Sequence, residues 1–533
     1  MRIDLRHLRK HQFQVDSLVL ATILALALLV RSWDLLSLPL FTDEAIYLHW
    51  AKTIHELHTR VALLIPIKED GKQPLFMWLA AGAMVFHQDP LVAGRMVSVV
   101  AGLFSTFGMY LAGYWLAGRH VGQVAALLYA VSPFTVIFDR MALVDGPLCT
   151  ATVWSLAIGI FMMTRARGGL QMGAAAVAQG IVLGAAIWTK MTALLILPVP
   201  VLCTLLIPCS RALTRWPYLA IGYVVFGLFA SLLAMAPEAE NLIEKTSHFS
   251  LPLSSLIPPP LDLWKSNLAD YWSWIQTYLP APLHWLVLLS VLWGLINNRR
   301  HTLTLICCWA VLALPTMLTA QLLYTTRYVV SSVVPLLLLT SESLVAITGR
   351  LTAWSGFPTP SARTRSLFQR GAGIVGLLLV LLPSVSFSSR LITNPESAGL
   401  CSTDQGQYVN GWPSGYGFAE AIDLVRHRVA EHDGAVIVLS DHYRGLPYDG
   451  IAIYLKDLPG VHHYVDGHLI WNARGILDAW RSHNVPLLLI GNDGRDDLES
   501  FEREVPEAER LGVFWKPGGK YSFRVYEIDL PSR

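Results

Sequence analysis

The sequence predicts a mainly α-helical, polytopic membrane protein with a small α/β domain at its C-terminal end. Three observations predict it. The 533 residues are 53% hydrophobic, and only 15% are Asp, Glu, Lys or Arg, against about 25% in ordinary soluble domains. Apolar runs long enough to cross a bilayer recur from residue 18 to residue 387. Beyond Ser388 the composition turns to that of a soluble protein.

A span needs about 20 predominantly apolar residues. Eleven runs qualify: 18–36, 92–117, 121–138, 143–163, 174–188, 192–207, 217–235, 283–296, 303–320, 328–347 and 371–387. The N-terminal stretch before the first run is basic, and no small-residue cleavage site follows that run. It therefore reads as an uncleaved span, not a signal peptide. A twelfth run, 74–86, is short for the hydrocarbon core and reads as an interfacial or re-entrant helix.

With that run not crossing, the basic clusters fall on one side of the membrane: Arg2/Arg6/Arg9/Lys10, Arg119, Arg165/Arg167, Arg211/Arg215, Arg299/Arg300 and Arg350/Arg363/Arg365/Arg370. The positive-inside bias then puts the N-terminus inside and the C-terminus outside, in a multi-pass cell (inner) membrane protein. The net charge of +2 carries no signature of nucleic-acid binding.

This topology defines the domains. Residues 1–390 form the membrane domain, with a first outer loop over 38–92 and a second over 237–282. The second loop carries Trp264, Tyr271, Trp272, Trp274 and Tyr278, residues suited to a membrane interface. Residues 391–533 form the extracytoplasmic α/β domain. Strands are expected over 435–439, 486–491 and 521–528, and a helix over 473–483. Five cysteines lie in apolar runs and Cys401 stands alone in the tail, so no disulfide framework is legible.

Candidate chemistry gathers at the outer ends of the spans. The first outer loop opens with Thr42-Asp43-Glu44, followed by Tyr47, His49 and Trp50, and Ile46, Trp50, Ile54 and Leu57 recur at helical spacing as a face for lipid. Thr42 as an N-cap, with Asp43 and Glu44 complementing the helix dipole, explains the carboxylates structurally. Catalysis explains them too, and a cap can aim an acid. Downstream, Lys72 precedes Pro74, and a snorkelling lysine accounts for it when taken alone.

Lys72, Arg95, Arg140, Lys190 and Arg327 nevertheless all stand at outer boundaries, with Asp139 and Asp145. Ionisable groups at membrane depth are costly and face a cavity, pair with one another or bind something. Cations with carboxylates on one face suit an anionic lipid headgroup undergoing acid–base chemistry. Ion pairing of Arg140 with Asp139 or Asp145 is the structural rival.

At these residues the sequence resembles the GT-C superfamily of glycosyltransferases, in particular the protein O-mannosyltransferases (glycosyltransferase family 39) and the bacterial lipid A aminoarabinose transferases. The matching pieces are Asp43-Glu44 with Tyr47, Lys72-Gln73-Pro74-Leu75 with Trp78, and Arg95. Arg140 with Asp145-Gly146-Pro147, Thr189-Lys190, and Arg327-Tyr328 with Pro335 follow in order. Gln407-Tyr408-Val409-Asn410-Gly411-Trp412, continuing through Gly417, resembles a stretch after the last span of bacterial members. Gln73 stands where the family often has a second proline.

The resemblance implies an inverting transfer of a sugar from a polyprenyl-phosphate carrier to an acceptor hydroxyl, on protein or glycolipid, at the outer face of the membrane. A hydroxyl is a poor nucleophile, so a carboxylate must take its proton; Asp43 is the candidate base and Glu44 the second. The phosphate leaving group needs fixed positive charge, for which Lys72, Arg327, Lys190 and Arg140 are the candidates. Tyr47, Asp145 and Tyr328 are candidates for the acceptor or sugar pocket. No metal ligands are assigned. Some family members bind a divalent ion; His49, His55 and His58 lie in the first loop, and His55 and His58 share a helix face at i, i+3. The alternatives are a lipid-linked oligosaccharide transferase and a non-enzymatic lipid transporter or flippase. A transporter is expected to show internal repeats, and none is found.

Overall fold

The computed structural model describes residues 5–209, 212–354, 362–432, 435–465 and 485–528. The helix expected over 473–483 and the side chains of the basic residues at 2–10, 211 and 363–370 lie outside these. The chain divides into two compact units. One comprises Met1–Trp33, Leu64–Phe76 and Arg95–Ile392; the other comprises Asp34–Leu63, Met77–Gly94 and Thr393–Arg533.

The chain is a multi-pass membrane protein. Among the described residues, eight helices are long and apolar enough to cross a bilayer: Gln14–Ser32, Pro90–Ala117, Asp145–Thr164, Gly169–Thr189, Leu213–Ala234, Arg299–Thr319, Val330–Arg350 and Val375–Thr393. A ninth is reached if Leu261–Tyr278 and Leu283–Asn297, bent by 110° at their junction, count as one span. The difference from eleven apolar runs has a local cause. Ser132-Pro133 divides the run 121–138 into Arg119–Val131 and Pro133–Phe138. The run 192–207 consists of a 3-10 segment, Met191–Ile196, and a helix, Pro198–Leu206, that opens on a proline. The run 74–86 forms the helix Leu75–Ala83; its 9 residues rise only about 14 Å, well short of a bilayer core.

Several polar groups inside the first unit are paired, as a low-dielectric surrounding favours. Arg31, fully buried, donates from Nε to Asp139 at 2.9 Å and from Nη1 to the Ala130 carbonyl at 2.8 Å. Gln179 donates to Ser155 Oγ at 2.7 Å, joining two apolar helices. The aromatic second loop differs from expectation. Tyr271, Trp274 and Tyr278 are buried, and the Tyr271 hydroxyl bonds with Ser332 Oγ at 3.1 Å and accepts from Trp309 at 2.7 Å. These rings are packing residues; Trp272 is the exposed member of the group at 39%.

The second unit is built on a five-stranded sheet: β1 (Val436–Ser440), β2 (Val461–Val465), β3 (Leu487–Asn492), β4 (Ala508–Trp515) and β5 (Ser522–Ile528). The order is β2-β1-β3-β5-β4. β1 pairs in parallel with β2 and β3, and β5 runs antiparallel to β3 and β4. β1 and β3 are buried along their whole length, which is why their sequences read as unbroken apolar runs. Ile437, Leu439, Leu487, Leu489, Phe501 and Tyr526 form the core on one side.

The helix Thr42–Leu57 belongs to this unit, and it corrects two expectations. Its N-cap is Phe41, in extended conformation, not Thr42. Thr42 already lies in the helix, where its hydroxyl donates to the Pro413 carbonyl at 2.8 Å. The face expected to meet lipid is instead packed against protein: Ile46, Trp50 and Ile54 are buried, and only Leu57 is exposed.

Candidate functional site

The candidate residues fall into two groups, one in each unit. In the first unit, the short helix Ile65–Asp70 ends at Gly71 with φ 55°, a left-handed turn that glycine accommodates. A Cβ on Gly71 would meet the Asn241 carbonyl oxygen at 2.2 Å, so this turn is held close against the helix Glu240–Phe249. Lys72 follows immediately, its backbone N–H bonded to the Pro66 carbonyl at 2.9 Å.

Lys190 terminates Gly169–Thr189 in extended conformation. Its ammonium donates to Asp145 Oδ1 at 2.6 Å and lies 4.3 Å from the centroid of the Tyr328 ring. Asp145 itself is buried, at the start of Asp145–Thr164. Lys72, Lys190 and Tyr328 line one cavity of about 260 Å³, together with Lys245, which is paired with Asp70. Met191, Leu194, Leu195 and Phe249 supply much of the remaining wall. The cavity thus brings three ammonium groups, two of them ion-paired with Asp145 and Asp70, beside an apolar wall.

Arg327 sits one residue before Tyr328 in the 3-10 turn Thr326–Tyr328, with its guanidinium 5.5 Å from the same ring. Arg140 is directed elsewhere. Its Nη1 donates to the carbonyls of Val30, Arg31 and Trp33 at 3.0, 3.1 and 2.7 Å, closing the end of the first span. Asp139 and Asp145, its expected ion-pair partners, are paired with Arg31 and Lys190.

In the second unit, the helix Thr42–Leu57 carries Asp43, Glu44 and Tyr47. Glu44 is fully buried and its carboxylate accepts from the Phe41 N–H at 3.0 Å, satisfying a donor at the helix start. Asp43, beside it in the first turn, keeps partial exposure. Tyr47 is buried, its ring centroid 6.2 Å from that of Trp50.

The same helix is fastened to the loop and helix after β1. His49 Nδ1 lies 2.6 Å from Asp449 Oδ1, and Lys52 Nζ lies 2.7 Å from the Ile453 carbonyl and 2.5 Å from Asp457. Arg444 bonds to Asp449 at 3.1 Å and lies 5.7 Å from the Trp50 ring. At Gly445, φ is 103°, and a Cβ would meet the Thr42 methyl at 2.2 Å. Sequence reasoning missed Lys245, Arg31 and this whole attachment. Lys245 lies in a polar segment between apolar runs, where a lysine is unremarkable, and His49–Asp449 joins residues 400 positions apart.

The histidines of the first loop are engaged in hydrogen bonds or ring contacts. His55 Nδ1 is 3.1 Å from the Ala81 carbonyl, and its ring centroid is 5.9 Å from that of His58. Among the described residues, no three His, Cys, Asp or Glu side chains gather in a way that would hold a metal ion.

A family model described as dolichyl-phosphate-mannose-protein mannosyltransferase matches residues 71–234. That segment contains Lys72, Arg95, Arg140, Asp145 and Lys190; it excludes Asp43 and Arg327. No curated protein sequence matches the chain. Among solved structures, ArnT from Cupriavidus metallidurans bound to undecaprenyl phosphate superposes with a TM-score of 0.61 at 15% identity, over 96% of this chain and 97% of that one. The Archaeoglobus fulgidus oligosaccharyltransferase in complex with Zn and sulfate gives 0.55 at 12% identity, over 95% and 72%. The same archaeon's AglB, in complex with an inhibitory peptide and a dolichol-phosphate, gives 0.52 at 11%, over 96% and 74%. The fold is thus the GT-C glycosyltransferase fold, with a small C-terminal α/β region, as the motifs imply.

Proposed function

We propose that the chain is a glycosyltransferase that moves a sugar from a polyprenyl-phosphate carrier to an acceptor hydroxyl at the outer face of the membrane, with inversion. The observation that carries this reading is the cavity with Lys72, Lys190 and Lys245 on a wall otherwise rich in apolar side chains. Such a wall suits an isoprenoid, and the ammonium groups suit its phosphate. The fold supports it, since ArnT binds undecaprenyl phosphate and AglB dolichol-phosphate in the structures it resembles. The one-sided distribution of the basic loops supports the outer face.

Asp43 serves as the base. It removes the acceptor's proton as the new C–O bond forms and the bond from the anomeric carbon to the phosphate oxygen breaks. A single displacement of this kind inverts the anomeric carbon. Glu44 is the weaker candidate, because its carboxylate holds the start of its own helix. The departing phosphate gains negative charge, which Lys72, Lys190 and Arg327 stabilise. Tyr328, in contact with Lys190 and Arg327, forms part of the same wall.

The test is transfer by the purified chain in nanodiscs, supplied either with a polyprenyl-phosphate-linked sugar or with the corresponding nucleotide sugar. Transfer is expected from the lipid-linked donor alone. Equal transfer from the nucleotide sugar would remove the lipid carrier from the scheme.

A further inference from the structure

Exposed apolar side chains gather on three short stretches of the second unit, and the transfer step described above uses none of them. The helix Thr42–Leu57 ends at His58, whose φ of 47° turns the chain and leaves Leu57 exposed. One helical turn, Arg60–Leu63, follows, with Val61 72% exposed. Beyond the helix Leu75–Ala83, the N–H groups of Val85 and Phe86 bond back to the carbonyls of Gly82 and Ala83 at 3.3 and 2.9 Å. Val85 and Phe86 are thereby held in a turn, 70% and 89% exposed.

Two hydrogen bonds tie the stretches together. Trp78 Nε1 donates to the Leu63 carbonyl at 2.9 Å, and His55 Nδ1 lies 3.1 Å from the Ala81 carbonyl. Leu63 and Leu79, beside these bonds, are exposed as well. Six large apolar residues in one place are more than a water-facing surface normally leaves uncovered.

The path of the chain says what covers them. Four residues lead from Phe86 to Pro90, where the apolar helix Pro90–Ala117 begins, and Asp89 Oδ1 accepts from the Leu91 N–H at 2.8 Å at that start. Four residues reach at most about 14 Å, so Phe86 stays within that distance of the end of a membrane span. The 28 residues of this span make it about 42 Å long, against a hydrocarbon core of about 30 Å, so it can reach into the headgroup layer. The rim of the patch suits that layer. Arg60, His58 and His87 are exposed, and Glu56 faces Lys52 at 3.9 Å. A soluble partner is a poorer match, because a surface tethered this closely to a span already meets the bilayer.

We propose that Leu57, Val61, Leu63, Leu79, Val85 and Phe86 form a lipid anchor. Their side chains enter the leaflet from which the span Pro90–Ala117 starts, and Arg60 meets its phosphate headgroups. The lipid contact of the helix Thr42–Leu57 therefore lies at its C-terminal end, and not along Ile46, Trp50 and Ile54, which are buried in protein. Asp43 stands near the opposite end, about 21 Å along the helix axis, so the anchor sets the depth of the helix that carries it. The anchor rests on the membrane spans and is independent of the glycosyl-transfer reading.

The test uses the full chain in nanodiscs of phosphatidylcholine and phosphatidylglycerol. With the native cysteines changed to serine, a nitroxide is placed on Val61→Cys, Val85→Cys, Phe86→Cys or, as an exposed control, Lys520→Cys. In power-saturation EPR the first three labels are expected to meet molecular oxygen more than a water-soluble nickel chelate, and the control label the reverse. Nickel access at 85 and 86 equal to that at 520 would put the patch in water. Labels shielded from both reagents would mean that protein covers it, with spin–spin broadening marking a second copy of the chain. Either result overturns the anchor. In the unmodified chain, a phospholipid with a diazirine on its acyl chain should cross-link to residues 57–63 and 79–86 as well as to the spans. Cross-links confined to the spans would overturn the anchor without reliance on any variant.

Discussion

His49 and Asp449, 400 residues apart in sequence, stand 2.6 Å apart, Nδ1 to Oδ1. His49 lies on the helix that carries Asp43, and Asp449 is fully buried, where it also accepts from Arg444 at 3.1 Å and from the Gly445 N–H. A buried carboxylate with three donors ties the first-loop helix to the α/β domain within one compact unit. Asp449→Ala strips all three donors at once. Loss of one side of a buried, charged pair costs about 3–5 kcal/mol, so a marked fall in thermal stability is expected. Asp449→Asn keeps acceptor capacity and should cost less. In Asp449→Asn the turnover should fall while lipid-donor affinity holds, and a loss of donor affinity instead would show that the tie serves another purpose.

His463 adds a pH dependence to the same region. Burial, reinforced by the neighbouring His49, lowers its pKa from 6.5 to about 4, with Asp449 opposing. An unfolded histidine binds its proton below about 6.5 and the folded one only below about 4. Between those values the unfolded state holds more protons, so stability falls as the pH drops from about 6.5 to about 4, by up to roughly 3 kcal/mol. His463→Gln removes the titrating group and can still bond with Ser440 Oγ, which lies 2.9 Å from the ring in the native protein. Thermal melts at pH 7 and pH 4.5 should show a smaller difference for the variant than for wild type.

Asp43 and Glu44 should separate chemistry from folding. Asp43→Asn removes the proposed base with little change of shape, and transfer should fall by about 10²–10⁴-fold with an unaltered melting temperature. Glu44→Ala removes the acceptor for the Phe41 N–H and should cost about 0.5–2 kcal/mol of stability. Single-turnover rates beside melting curves give both numbers. Near-normal transfer by a folded Asp43→Asn protein would send the base role elsewhere.

These contrasts also show what was legible in the sequence. The spans and the sheet strands β1, β3 and β5 could be read because apolar periodicity is a local signal; Lys72 and Lys190 drew attention as misplaced charges, and their placement on one cavity is a tertiary fact. β2 and β4 escaped notice; Val461–Val465 is interrupted by two histidines, and Ala508–Trp515 is a partly exposed strand with charged residues. Arg140 looked like a ligand-binding cation, since nothing local discloses that three carbonyls at the end of the first span receive it. The aromatic loop misled for a related reason. Tyr271 and Trp274 are chemically suited to an interface, and only tertiary contacts reveal that they are buried.

The proposed extracytoplasmic side of the α/β domain rests on the distribution of basic loops and has its own test. Cys401 is unsuitable for labelling because it is buried at 5% exposure, whereas Lys520 is exposed. In a background with the native cysteines changed to serine, Lys520→Cys should react with an impermeant maleimide on intact spheroplasts. Labelling only after lysis would place the domain, and Asp43 with it, on the cytoplasmic side.

Lys190 allows the functional and structural roles of one cation to be told apart. Its ammonium is bonded to the buried Asp145 at 2.6 Å, packs 4.3 Å from the Tyr328 ring, and lines the cavity with Lys72. Lys190→Met therefore has two effects: it removes the charge proposed to hold the donor phosphate, and it takes from the buried Asp145 carboxylate its Lys190 partner. The second alone costs about 3–5 kcal/mol, so a loss of donor binding in the single variant proves little. In Lys190→Met/Asp145→Asn the unpaired charge is gone, and stability should return most of the way to wild type. Affinity for undecaprenyl phosphate should stay low, by about ten- to a hundredfold, because a charged hydrogen bond contributes about 1.5–3 kcal/mol. Melting curves and lipid binding on the wild type, both single variants and the double complete the cycle. If the double variant recovers donor affinity along with stability, Lys190 is a partner for Asp145 and the phosphate is held by Lys72 and Arg327.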